Sequence, residues 1–439
     1  MGPDGRVRKT KRQVLRTWQL RIFALSWLSY AAFYFPRNAF SAAKVGILDD
    51  GFMSRQHLGI LDSGYLAAYA VGQFVWGALA ERFGTRVVVA GGMAMAGVAA
   101  LFMGLIPALW LFMPLMIVQG LAQSTGWSAL SKNIASFFTI RTRGRAMGLF
   151  STSYAFGGLV AVPILSWVAY SIFHTWHAAF FAGAAVIFLA LALFLVFQRN
   201  SPREVGLPAI DDDLSGLDEP HEHRKTRAPV PVVKVANRFS PHDLIAAARN
   251  DAMVLRLGIV YFLIKPARYA VLLWGPVLVL DAIPELSAVT ASMVPIAFGI
   301  AGVIAPVAVG WTSDTLFHAR RIPPTVLSLG ILVIALILWS PAAHTKSIAL
   351  VCVLLGVVGL TAYGADAMVS GVAAVDFGTS KYAAGATGFI NGCGSIGAIM
   401  GGLLPGFLST ATVFYVFAGA AAVAALILIP CWNKRPNSE

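Results

Sequence analysis

Long apolar runs separated by short polar breaks dominate the chain. Stretches of about 20 mostly apolar residues, enough for a helix to cross a ~30 Å hydrocarbon core, recur along its length. They fall near residues 22–43, 57–79, 86–106, 110–134, 147–170 and 176–197, then near 252–275, 288–311, 323–341, 346–371, 383–409 and 411–431. This predicts an all-α membrane protein of twelve transmembrane helices with both termini on one side. The roughly ten-residue alternating segments of a transmembrane barrel would not give runs this long.

Composition points the same way. Of 439 residues 58% are apolar and only 12% charged, and the mean hydropathy is +0.73. A largely water-soluble surface and a disordered chain are both excluded. Cys352, Cys393 and Cys431 lie in or beside apolar runs, which excludes a secreted disulfide scaffold.

The net charge of +13 would suit a nucleic-acid binder, but its placement argues otherwise. Of the 33 lysines and arginines, 25 lie in the N-terminal tail, the central loop and the other breaks on that side. The opposite breaks hold Lys44, Arg55 and Lys346. Under the positive-inside rule, both termini and the central loop are expected in the cytoplasm, the protein being integral to the cytoplasmic (inner or plasma) membrane. The basic excess is then a topology signal, the bilayer is the partner, and no nucleic acid is expected. The first run carries Arg37 and is too long for a cleaved signal, so it reads as a span.

A polar, proline-containing stretch at 198–250 divides six runs from six, predicting bundles at 1–197 and 251–439 joined by a cytoplasmic linker. His221-Glu222-His223 has metal-ligand residue types, but within this stretch it reads as solvated linker, and no metal or cofactor is expected. The halves echo one another. Pro36-Arg37 corresponds to Pro266-Ala-Arg268, and Gly148 and Gly157 to Gly388 and Gly397. Gly77-x-x-x-Glu81-Arg82-x-Gly84-x-Arg86 has a degraded copy in Gly310-x-x-x-Asp314. Such duplication is common in transporters, whose substrate site lies between the repeats near mid-membrane.

Charge at membrane depth costs at least ~2.5 kcal/mol on insertion scales, so these residues are candidates for function. They are Arg37, Lys265, Arg268, Asp62 and Asp366. Tyr30, Tyr34 and Arg37 share one helical face, as do Tyr261, Lys265 and Arg268. Asp62, Tyr65, Tyr69 and Gln73 form another stripe, Gln119, Gln123 and Trp127 a third, and Ser151 and Tyr154 add polar groups. Matching cations in the two halves predict an anionic substrate held between them, since guanidinium offers a planar fork to phosphate or carboxylate oxygens. The alternative is structural pairing of Arg37 and Arg268 with Asp62 and Asp366. Three cations against two acids oppose full cancellation, so both arginines are expected to reach a shared chamber unneutralised. Nothing resembles a nucleophile–base pair or a phosphate-cradling loop, so an enzyme is not expected.

The Gly77–Arg86 pattern resembles the signature of the major facilitator superfamily. Further segments resemble one branch of it, the organophosphate:phosphate antiporters, over essentially the whole chain. They are Tyr34-Phe-Pro-Arg37-Asn-Ala-Phe40, Gln123-Ser-Thr-Gly-Trp127, Trp176-His-Ala-Ala179, Pro202-Arg-Glu-Val-Gly206-Leu207-Pro208, Arg268 to Pro276, and Tyr363-Gly364.

The resemblance implies exchange of a phosphate ester for inorganic phosphate by a monomer that rocks its two halves about a central site. It implies that Arg37 and Arg268 grip phosphate, with Tyr30, Tyr34, Tyr69 and Tyr363 around them. Lys265, Gln73, Gln123, Trp127, Tyr154, Asp62, Asp366 and Asn391 complete the expected substrate site. Glu81, Arg82, Arg86 and Asp314 are the expected gate, pairing between neighbouring helices to hold the cytoplasmic side shut. Tyr154, Gln73, Asn38 and Leu273 stand where one family member carries a histidine, two lysines and an acid. Lys265, Asp62, Ala374–Gly378 and Gly392–Gly397 are closer to animal sugar-phosphate exchangers. Two alternatives stand beside this: proton-coupled transport of another small anion or neutral solute, suggested by Asp366, and, because the family it resembles includes such proteins, a transporter-like sensor of a phosphate ester.

Overall fold

The computed structural model describes residues 11–208, 210, 252–318, 320–372 and 383–434, and these are helical almost throughout. In the first half, α1 spans Lys11–Asp49, α2 Arg55–Phe83 and α3 Thr85–Leu105. Two pieces, Leu109–Gln123 and Thr125–Phe137, form α4. Next come α5, Ile140–Trp167 with a wide final turn at Val168–Ile172, and α6, His177–Phe197.

In the second half, α7 spans Ala252–Ala282, and α8 consists of Ala288–Met293 and Ile296–Thr315. Helix α9 is Ile322–Ile337 plus Trp339–His344, and α10 is Ile348–Ala367 with a wide turn at Met368–Val372. Ala383–Phe407 and Thr410–Leu428 form α11 and α12.

All twelve expected spans are helical, and nine helices among the described residues are long and apolar enough to cross a membrane. A break at Ser124 divides α4 into pieces of 15 and 13 residues. Large apolar side chains such as Trp110 and Leu189 are exposed on the outside, as suits a lipid-facing surface.

Duplication is visible in the packing. In the first half α1 lies against α5 and α6, and in the second α7 lies against α11 and α12. A methyl group on Gly157 of α5 would come within 2.8 Å of the Ala31 carbonyl of α1. One on Gly397 of α11 would collide with the Phe262 carbonyl of α7. The two contacts coincide under the offsets read from sequence. Pro266 lacks the N–H that would bond the Phe262 carbonyl four residues earlier, and glycine lets the neighbouring helix approach there.

The halves meet most closely at the end away from the termini. There α2 crosses α11 at Gly59 and Gly406, where a methyl on Gly406 would lie 2.7 Å from the Arg55 carbonyl. Ser63 Oγ reaches the Ile399 carbonyl at 3.4 Å. Ser41 Oγ donates to the Leu273 carbonyl at 2.8 Å, and Arg55 pairs with Asp281 at 2.8 Å.

The start of the linker docks on the first bundle. Pro202–Val205 makes one tight turn, Gly206 takes a left-handed φ of 76°, and Leu207 is buried against Leu15 of α1. The rest of the linker, including Asp211–Asp213 and His221-Glu222-His223, lies outside the described residues, as do Ala374–Gly378 and Lys381.

Candidate functional site

A cavity of about 450 Å³ lies between the halves. Tyr34, Arg37 and Asn38 of α1, Tyr69 of α2 and Ser151 and Tyr154 of α5 line it from one side. Arg268 and Tyr269 of α7, a stretch of α8 and Tyr363 of α10 line it from the other.

Tyrosine rings wrap Arg37. Its guanidinium carbon lies 5.2 Å from the Tyr34 centroid, 5.7 Å from Tyr65 and 5.3 Å from Tyr69, within range of cation–π attraction. It makes no ion pair among the described residues, so its donors stay available to a ligand. Arg268 stacks at 4.0 Å over Tyr363 and donates through Nη1 to Asp366 Oδ2 at 2.9 Å. The expectation that both arginines are unneutralised therefore holds for Arg37 alone. Asp366 stands three residues after Tyr363 on α10, so the same helical face delivers the ring and the carboxylate to Arg268.

Asp62 departs from its expected place. It sits at the far seam, away from the cavity, in an ion pair with Lys44, with side chains 1% and 0% exposed. The first apolar run ends near residue 43, which places Lys44 in an exposed break. In fact α1 continues to Asp49 and carries Lys44 inside.

Several expected site residues stand behind the cavity wall. Tyr30 is buried against Trp127 and Phe150, at 5.4 and 5.6 Å between centroids. Trp127 meets Tyr154 edge-on at 6.0 Å, so this cluster supports Tyr34 and Tyr154. Gln123 is buried at the break in α4, its Nε2 without a protein partner. Lys265 donates to the Tyr261 hydroxyl at 3.0 Å, and Asn391 Nδ2 donates to the Thr387 carbonyl at 2.9 Å. Gln73 is exposed on α2 and does not line the cavity. Tyr269, in the cavity wall, and Tyr65, beside Arg37, add to the expected set. Tyr269 directly follows Arg268, and Tyr65 precedes Tyr69 by one turn on the same polar stripe, which were the available signals.

The expected gate residues make contacts inside each half. Arg86 donates to the Leu195 carbonyl of α6, and its backbone N–H donates to Asn200 Oδ1 at 2.8 Å. Arg321 pairs with Asp314 at 2.6 Å across the α8–α9 turn. Arg82 is exposed beside Phe83, and the Glu81 side chain lies outside the described residues. Among the described residues, the hydrogen bonds joining the halves are those of the far seam.

Two helical halves that line a shared central cavity, with an arginine from each in its wall, define a membrane transporter. The chain belongs to the Major Facilitator Superfamily, whose profile matches residues 26–383; it is not an enzyme. It is 27% identical over 430 residues to a "Probable hexose phosphate transport protein" of Chlamydia trachomatis, covering 96% of this chain and 92% of that one. Against the glycerol-3-phosphate transporter of Bacillus subtilis it is 25% identical over 438 residues, covering 96% and 94%. Among solved structures, the nucleoside transporter NupG superposes with a TM-score of 0.70 at 13% identity, covering 95% of this chain and 100% of that one. The relatives agree with the branch read from the sequence motifs, and the structural likeness shows the fold.

Proposed function

We propose that this protein carries a small organic phosphate ester across the cytoplasmic membrane in exchange for inorganic phosphate, by alternating access between bundles 1–197 and 251–439. The observation that carries this reading is that Arg37 and Arg268, one from each half, border one cavity that Tyr34, Tyr69, Tyr154, Tyr269 and Tyr363 also line. A phosphoryl group between them accepts hydrogen bonds from both guanidinium groups, which draws the halves together. Desolvation inside the closed cavity strengthens those bonds. The far seam, with Ser41, Lys44 and the α2–α11 crossing, is then the extracellular gate, closed in this arrangement. Both termini lie in the cytoplasm, in keeping with the distribution of lysine and arginine.

Purified protein in liposomes loaded with phosphate provides the test. Exchange of external radiolabelled phosphate, inhibited by phosphate esters and lost in Arg37→Ala, is the expected result. Exchange that survives Arg37→Ala together with Arg268→Ala overturns the proposal. Exchange by the purified chain alone also separates a carrier from a sensor, a role suggested by 27% identity over 430 residues to the membrane sensor protein UhpC of Escherichia coli. Accumulation driven by a pH gradient, and abolished in Asp366→Asn, would select proton coupling instead.

A further inference from the structure

We infer that the alcohol part of the phosphate ester is a hydrocarbon lying along the α5–α8 wall of the cavity, so that the site selects alkyl phosphates over polyol and sugar phosphates. This rests on the proposed phosphate-ester reading and adds to it the chemical class of the organic part.

The cavity has a polar end and an apolar wall. The rings of Tyr34 and Tyr69 lie 5.2 and 5.3 Å from Arg37, and Tyr363 covers Arg268 at 4.0 Å, so these tyrosines belong with the phosphate. The wall supplied by α8 is different in kind. Ile296, Gly299, Gly302, Val303, Pro306 and Val307 line it, and none carries a polar side-chain atom. Ser292, the one polar α8 side chain in the wall, donates to its own Val289 carbonyl at 2.7 Å. Pro306 withdraws a helical hydrogen bond from the Gly302 carbonyl, but the proline ring itself crowds that oxygen.

The hydroxyls of α5 are spent as well. Ser151 donates to the Met147 carbonyl at 3.0 Å and Thr152 to the Leu149 carbonyl at 2.7 Å, and Thr152 Oγ1 also accepts from Trp27 Nε1 at 2.9 Å. A hydroxylated substituent placed here gives up water for a wall that returns few hydrogen bonds, a cost that a hydrocarbon escapes.

The wall also has room for a chain. Helices α5 and α8 touch where a methyl on Gly299 would lie 2.8 Å from Leu159 Cδ1. Past that contact Val303 and Val307 are 48% and 74% exposed although they line the cavity. On the α5 side, a methyl on Gly148 would meet nothing within 4 Å. The apolar wall therefore continues outward between the two helices, and a chain longer than the cavity passes out along it.

A matched pair of probes isolates the alcohol from the phosphate. Propyl phosphate and glycerol-3-phosphate share the phosphate, its charge and the carbon chain, and differ only in hydroxyl groups. Each is titrated against exchange of radiolabelled phosphate by the purified full chain in liposomes. Propyl phosphate is expected to inhibit at a concentration roughly ten-fold or more below that of glycerol-3-phosphate. Hexyl phosphate should inhibit roughly ten-fold or more below propyl phosphate, since each buried methylene contributes a factor of about four. Val303→Asn puts an amide on the wall and should narrow both ratios, whereas disturbance of the bilayer by the longer chain would be the same in both proteins. Inhibition by glycerol-3-phosphate within about three-fold of propyl phosphate, or ratios unmoved by Val303→Asn, overturns the inference and leaves the phosphate-ester reading standing. Absence of exchange, or exchange that no ester inhibits, overturns both. If Val303→Asn does not fold, the wild-type ratios alone decide.

Discussion

Lys44 and Asp62 form an ion pair, fully enclosed by protein, at the seam between the halves. Lys44 also donates to the Leu273 carbonyl of the other half at 2.7 Å and lies 4.2 Å over the Trp274 ring, while Trp274 Nε1 holds the Gly402 carbonyl at 3.0 Å. Pro276 removes a helical donor just beyond Leu273, loosening the α7 ladder where these cross-seam donors arrive. Lys44 thus bonds to both halves at once, and opening this end strips it of a carbonyl and a ring.

Breaking that pair exposes its role. Asp62→Asn leaves a buried ammonium without its counter-charge, a loss of about 3–5 kcal/mol. The purified variant should therefore unfold at a lower temperature, and a cysteine placed at Ser41 should react faster with a water-soluble maleimide. The double change Lys44→Met with Asp62→Leu should recover most of the thermal stability. Equal labelling rates in wild type and Asp62→Asn would show that the pair does not hold the seam.

Removing the guanidinium of Arg37 should weaken phosphate binding roughly 10- to 100-fold, the value of one or two charge-assisted hydrogen bonds. Arg37→Lys should recover little, because an ammonium cannot present a planar fork. Radioligand binding to membranes checks this without requiring turnover.

Tyr363→Phe keeps the ring over Arg268 and should bind the probe within about three-fold of wild type. Tyr363→Ala removes the stacking and should cost about 0.5–2 kcal/mol of binding. Matched thermal unfolding curves would show that the loss is local.

Gly397→Val should destabilise the second half by about 1–3 kcal/mol, since the added carbons meet the Phe262 carbonyl. Gly148→Ala, inside α5 where a methyl meets nothing within 4 Å, is the contrasting case and should hold or slightly raise the unfolding temperature, since alanine favours a helix interior over glycine by about 0.5–1 kcal/mol.

Glu285, in the loop between α7 and α8, is held below the usual carboxylate range by its hydrogen bond from Lys346. A depressed carboxylate pKa means that any stabilisation is present at neutral pH and is lost as pH falls through the folded-state value. Both groups are exposed, where such pairs contribute little. Glu285→Gln should leave the unfolding temperature unchanged at pH 7 and abolish whatever part of its acid dependence belongs to this loop.

The fold was largely legible because lipid imposes a simple rule: a span must be long, apolar and internally hydrogen-bonded. That rule located all twelve helices, and the Pro-Arg echo located Arg37 and Arg268. It failed at the ends of α1 and in the middle of α4. Hydropathy cannot see a buried lysine such as Lys44 as part of a helix, nor a break at Ser124 inside an apolar run. Partnering was also hidden. Counting charges does not assign partners to Asp62 and Asp366, whereas tertiary packing gives one to Lys44 and the other to Arg268. Tyrosine stripes were visible as periodicity, but which rings reach the cavity and which support them depends on how α1, α4 and α5 interdigitate.

The paired abutments of Gly157 on Ala31 and Gly397 on Phe262 give the molecule a built-in control. A bulky residue introduced at one can be compared with the same residue at its twin, inside a single polypeptide and a single bilayer. Any difference between the two outcomes measures how far the ancestral copies have diverged in the work each lobe performs.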